Sequence, residues 1–301
     1  MPNPIVLADA HRTAIQKIRT RAAKAADGIW ADFAGLSDAE LAAWLEQITP
    51  IIQGARLASV EITAGYLRQF LQLTDGISPD VAGFLAEEVA AGIRNGAAIS
   101  DVYTRPIITA RAAISKGANW VDAMRQGRQR METTVATDVQ LGMRDTVYEY
   151  GRRVPQFRAW HRVLAPGKVC GLCVAASTQT YYTSGLMPIH DNCDCGVVPE
   201  TESYIPRDVN QKRLADLKTY AGDDTYRRKT YGTDSGGRAT HNASGLKSVR
   251  GWVDDDGRIQ YGTPPEDAKA VLPETTVREH GELGPTLVDA SHNFTGPDEV
   301  G

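Results

Sequence analysis

Apolar residues recur at helical spacing along the first half of the chain. Between Val6 and Phe33, the residues Ile15, Ile18, Ala22, Ala25, Ile29 and Phe33 follow one another at three- and four-residue steps, predicting a helix with one apolar face. Ser37-Asp38-Ala39-Glu40 has capping-box spacing and opens a second helix through Leu41, Trp44, Leu45 and Ile48. Pro50 is expected to kink or divide it, because proline removes a backbone donor and crowds the preceding turn. The pattern resumes through Tyr66, Phe70 and Leu73. Ser78-Pro79 reads as a cap and first-turn proline for a helix ending near Asn95-Gly96, and Pro106 as the opening of a short helix that stops at Lys116-Gly117. Asn119 caps the longest helix, with a stripe of Trp120, Met124, Met131, Val135, Val139, Met143 and Val147 reaching Arg152-Arg153. That length is on the order of 50 Å at 1.5 Å per residue, and it suits a rod packed against neighbours. The basic run Arg125, Arg128, Arg130 is read as a solvated face.

The period changes near Pro155. Trp160 to Leu164 and Tyr181-Tyr182-Thr183 read as short strands. His161, a lone histidine on the first of them, is taken as structural. Beyond Pro199 the chain turns polar and rich in Gly, Asp, Thr and Pro. Arg213, Lys218, Arg227, Arg228 and Lys229 alternate there with Tyr220, Tyr226 and Tyr231, a pattern expected of an extended solvated arm that could lie against nucleic acid.

Composition narrows this picture modestly. Apolar residues make up 42% and charged residues 23% of the 301, which suits a globular protein, and the formal charge of −4 argues against general coating of nucleic acid. No apolar run approaches the ~20 residues of a membrane span, so no membrane partner is expected. Neither a secretory pattern at the start nor room for a fused enzyme domain at the end is evident, and a soluble chain in a reducing compartment is the expectation.

The chemistry is concentrated. All four cysteines fall in one window, as Cys170-Gly171-Leu172-Cys173 and then His190-Asp191-Asn192-Cys193-Asp194-Cys195. A tight C-x-x-C turn grips one side of an ion, and a returning segment supplies the rest of a tetrahedral shell. Thiolate and imidazole donors favour zinc, and Asp191 and Asp194 are poorer donors in sulfur company. Five residues compete for four places: Cys170, Cys173, His190, Cys193 and Cys195. The favoured set is Cys170, Cys173 and His190 with one of Cys193 or Cys195; the alternative is a four-cysteine shell with His190 outside it. Four protein donors leave no place for water, so the ion is expected to be structural. A redox pair or disulfide is the competing reading. The resulting expectation is an α+β chain, mainly α, in three parts. Residues 1–153 form a helical domain with a long helix, 154–200 a small zinc-stabilised α/β module, and 201–301 an extended, largely irregular arm with a short terminal motif.

Trp160-His161-Arg162-Val163, Cys170-Gly171-Leu172-Cys173, Tyr181, and Met187-Pro188-Ile189-His190-Asp191-Asn192-Cys193-Asp194-Cys195 with Pro199 behind them resemble the Mu F family of phage minor head proteins. The likeness is to members from phages of actinobacteria, and His280-Gly281-Glu282-Leu283-Gly284-Pro285 resembles their ending. The resemblance implies a minor capsid protein of head morphogenesis in a tailed phage. It would bind portal or major capsid protein, with packaged DNA as a further partner of the arm. Its expected location is the capsid interior or portal vertex, and the host cytoplasm during assembly. No enzyme is expected, since no G-x-S-x-G elbow, H-E-x-x-H helix or Ser/His/Asp set is found. The alternatives are a capsid maturation protease or a zinc-dependent nuclease, the latter needing an open coordination position at the metal.

Overall fold

The computed structural model describes residues 3–33, 35–79, 81, 84–92, 94–164, 173, 177, 180–182, 193–206, 209–210, 251–253, 259–261, 270–271, 275–280 and 284–289. It is mostly helical, with a small antiparallel sheet. Helix α1 (Pro4–Ala31) starts where the Asn3 side chain accepts the Ile5 N–H, with proline at its first position. Its buried face differs from the expected one by a slip of one position. Ala26 and Trp30 face inward after Ala22, whereas Ala25 is exposed and Ile29 is half-buried. Trp30 explains the slip: its ring packs edge-on to Trp44 and its indole N–H donates to the Met124 carbonyl at 3.2 Å.

The expected capping box opens α2 (Asp38–Thr74): the Glu40 N–H donates to Ser37 Oγ, and the Glu40 carboxylate accepts the Ser37 N–H at 2.8 Å. Pro50 does not divide this helix. Pro50 and Glu46, whose carbonyl loses its partner, both lie on the exposed side, where water can serve that carbonyl. Trp44, Ile48 and Ile52 meanwhile anchor both sides of the proline in the core.

The helix expected to begin at Ser78-Pro79 is also corrected. Ser78 donates its hydroxyl to Gln72 at 2.6 Å instead of capping, and the half-buried Ile77, Val81 and Phe84 around it pack against the core. Among the described residues of this stretch, only α3 (Ala86–Ala91) is α-helical, followed by a 3-10 turn at Arg94–Gly96. Buried Arg56 holds this short helix by donating to the carbonyls of Val89, Ala90 and Gly92, and it pairs with Asp145 at 2.6 Å. Arg94 pairs with Asp138 at 2.9 Å close by, both side chains almost fully enclosed.

Helices α4 (Ile99–Tyr103) and α5 (Arg105–Ser115) follow, and Gly117 takes the left-handed conformation (φ +91°) expected where α5 stops. Helix α6 (Trp120–Arg153) is the anticipated long helix, its first turn capped by Asn119. Trp120 is 44% exposed, so the stripe takes hold only after the first turn. At Gly127 a Cβ would lie 2.6 Å from the Trp30 ring, so that close crossing requires glycine. The eight residues from Thr137 to Arg144 are all buried, two full turns enclosed on every side.

The expected strands are β1 (Phe157–Val163) and β2 (Thr180–Tyr182). A third, β3 (Gly196–Thr201), completes an antiparallel sheet of order β2-β1-β3. The sheet shares one core with the helices: Tyr66, Phe70, Val147 and Tyr150 cluster with Phe157, Trp160, Val197 and Val198. The Tyr66 hydroxyl crosses from α2 to donate to the Val197 carbonyl at 2.9 Å.

In the arm expected to be largely irregular, five strands occur among the described residues. These are β4 (Gly251–Val253), β5 (Ile259–Tyr261) and β6 (Ala270–Val271), in the order β5-β4-β6, and the hairpin β7 (Thr275–His280) with β8 (Gly284–Asp289). The hairpin coincides with the terminal motif, and His280 and Thr286 in it are buried. The basic, tyrosine-rich stretch at 213–231 lies outside the described residues.

Candidate metal centre

Three of the five expected ligands meet. Cys173, Cys193 and Cys195 are 2–4% exposed, and their sulfurs all lie within 4.8 Å of one another. Cys170 and His190 lie outside the described residues. Cys193 and Cys195, of which the favoured set takes one and the four-cysteine alternative both, each present a sulfur beside Cys173.

The spacing suits a metal. Two thiolates about 2.3 Å from a tetrahedral ion stand roughly 3.8 Å apart, and the Cys173 and Cys193 sulfurs are 3.7 Å apart. A disulfide would need about 2.05 Å, and none of these three cysteines forms one. Burial and the contact with Cys193 push the Cys195 thiol above its ordinary pKa, outweighing a hydrogen bond with Cys173 that works the other way. An incoming cation would therefore displace protons here.

Two helices hold the loop that carries Cys193 and Cys195. Arg19 of α1 donates to the Cys193 carbonyl at 2.9 Å and to the Asp194 carboxylate at 3.0 Å. Asp194 is thereby engaged away from the sulfurs. Gln140 of α6 donates to the Cys195 carbonyl at 2.9 Å. On the opposite side, the Ser177 N–H donates to the Cys173 carbonyl at 2.9 Å.

The third wall is Arg162 of β1, fully buried, with Nη1 3.3 Å from Cys193 Sγ and 4.0 Å from Cys173 Sγ. Burial alone would depress its pKa, but the cysteine sulfurs reverse this and raise it. The sequence carried a signal for this residue. Strand alternation puts Arg162 on the same face as buried Trp160, and a charged residue on a buried face calls for a partner. Gln140 and Arg19 carried no comparable signal, since their partners are backbone carbonyls 55 and 174 residues away.

His161 points to the other face of β1. Its Nε2 lies 2.8 Å from Glu200 Oε2, across from Val198 and Thr180. The expected structural role is consistent with that ion-pair geometry, and alternation keeps the ring away from the cysteines.

Residues 6–215 match the VG15 protein family, and the chain belongs to this family of phage proteins. No curated protein and no solved structure matches it. Among the described residues, no helix is long and apolar enough to cross a membrane.

Proposed function

We propose that this chain is a minor head protein of a tailed phage, of the Mu F-like kind, acting by binding during head morphogenesis. In this reading residues 1–153 engage portal or major capsid subunits, residues 154–200 form a module fastened by structural zinc, and residues 201–301 form an arm that lies against packaged DNA. The protein resides in the capsid interior or at the portal vertex after assembly in the host cytoplasm, and it carries out no turnover. Cys173, Cys193 and Cys195 would hold the ion, with Cys170 or His190 as the fourth donor. The ion would supply the cross-link that a three-stranded sheet with strands of three to seven residues lacks.

The observation that carries the reading is the enclosure of the three sulfurs between the sheet and helices α1 and α6, in a chain of a phage protein family. An ion so enclosed suits fastening better than handling a polymer substrate, which the protease and nuclease alternatives would need. Quantitative mass spectrometry of mature virions, procapsids and empty heads, with elemental analysis of the purified chain, tests it. A fixed low copy number in mature virions and one zinc per chain are expected. Presence in procapsids alone, or absence from all particles, would overturn the minor head assignment.

A further inference from the structure

A cation meets the sulfurs. Arg162 has no solvent exposure, and its guanidinium lies against Cys193 and Cys173 with the Tyr181 ring 5.7 Å away. Its backbone is pinned as well: Asn210, in the left-handed conformation (φ +67°), donates its amide to the Arg162 carbonyl at 2.5 Å and accepts the Leu164 N–H at 2.9 Å. A buried guanidinium is costly unless negative charge is enclosed with it. Asp194 of the cysteine loop is bonded to Arg19. Among the described residues, the sulfurs of Cys193 and Cys173 lie against the guanidinium. With a neutral fourth donor such as His190, three thiolates and one divalent cation sum to −1, and one guanidinium brings the enclosed charge to zero; a fourth thiolate from Cys170 would leave −1.

We propose that Arg162 is a positioning residue of the metal centre, balancing the charge of the thiolate shell and orienting Cys193 and Cys173 toward the ion. This rests on the zinc reading above. Hydrogen bonds of this kind to metal ligands are typically worth about 10–100-fold in metal affinity. One nitrogen, Nη1, faces both sulfurs, so lysine would keep the charge but lose the rigid planar group that aims it.

The test uses the full chain with Zn2+ and Co2+, comparing wild type with Arg162→Met, Arg162→Lys and Arg128→Met. The last variant removes a half-exposed arginine that pairs with Asp27 and Glu132, outside the cysteine loop. Chelator competition is expected to show a roughly 10–100-fold loss of Zn2+ affinity in Arg162→Met, with partial recovery in Arg162→Lys. The rise in Tm on adding Zn2+ should shrink in Arg162→Met. A merely structural arginine would lower Tm equally with and without metal. Should Arg162→Met not fold, the thiolate-to-Co2+ absorption band decides: it should move in Arg162→Lys and hold its wild-type position in Arg128→Met. Equal affinity and an unmoved band in Arg162→Lys would overturn the role of Arg162 while leaving the zinc reading intact. A wild-type chain that binds no Zn2+ or Co2+ would overturn both.

Discussion

The helical half and the cysteine module solve the same problem with different means. Around Trp30 and Trp44, aromatic rings and aliphatic side chains from α1, α2, α4, α5 and α6 close a core unaided. Trp44 has no exposed surface, and its indole N–H finds the Tyr103 carbonyl at 2.7 Å. The module shares its interior with α1, α2 and α6, and within it stand three sulfurs and a guanidinium. Apolar area stabilises the first region in proportion to what it buries. The second contains groups that are expensive to enclose until a cation joins them. The contrast teaches that the two regions should fail separately and under different treatments.

Removing the metal should separate them most sharply. Structural zinc in small domains contributes on the order of 10 kcal/mol, so a strong chelator, or Cys173→Ser, should open the sheet while leaving the helices folded. Limited proteolysis is expected to cut within residues 157–201 as helical circular dichroism persists; simultaneous loss of both signals would break the comparison. Trp44→Ala is the converse. It should cost about 3–5 kcal/mol in denaturant unfolding and leave Zn2+ affinity unchanged.

Acid acts on the helical side through His11. This ring is buried against Tyr66, with Nε2 2.9 Å from Thr63 Oγ1, and burial lowers its pKa to about 3. The unfolded chain, with an ordinary value near 6.5, takes up the proton first. Stability should therefore be unaffected by His11 above about pH 6.5 and should fall by up to about 1.4 kcal/mol per unit as pH drops from there toward 3. Unfolding series at several pH values in the Cys173→Ser background would check the slope, since metal release also depends on pH.

Smaller effects probe the seam and the ends. Tyr66→Phe removes the buried bond to the Val197 carbonyl and should cost about 1–2 kcal/mol. Hydrogen exchange should quicken in β3 more than in α4 or α5 if that hydroxyl ties sheet to helices. Ser37→Ala should cost about 1 kcal/mol through loss of the α2 cap and leave the module untouched.

Local signals in the sequence identified what local physics decides. The Ser37 box, the Asn119 cap, Gly117 and the period of α6 each report a residue's own turn, and each corresponds to the observed element. The misses share a cause. Pro50 is tolerated because of where Glu46 faces, and Ser78 is diverted by Gln72. Strand β3 is a short run, Gly196-Val197-Val198-Pro199, whose pairing with β1 only tertiary structure reveals. At the site, cysteine spacing drew attention to the right residues, yet the residues that hold the loop and face its sulfurs, Arg19, Gln140 and Arg162, come from three distant elements.

The enclosure of Thr137 to Arg144 also governs how this chain can change over generations. A helix with a dry face and a wet face can drift on the wet one. Across these two turns every position answers to a neighbour: Asp138 to Arg94, Gln140 to the cysteine loop, Gly142 to Arg56, whose Cγ would stand 3.1 Å from an added Cβ. New contacts with other proteins must therefore be explored elsewhere, and the same helix offers the place in its opening turns, where Trp120, Val121 and Arg125 face outward. One element thus joins a segment nearly closed to variation with a segment left open to it.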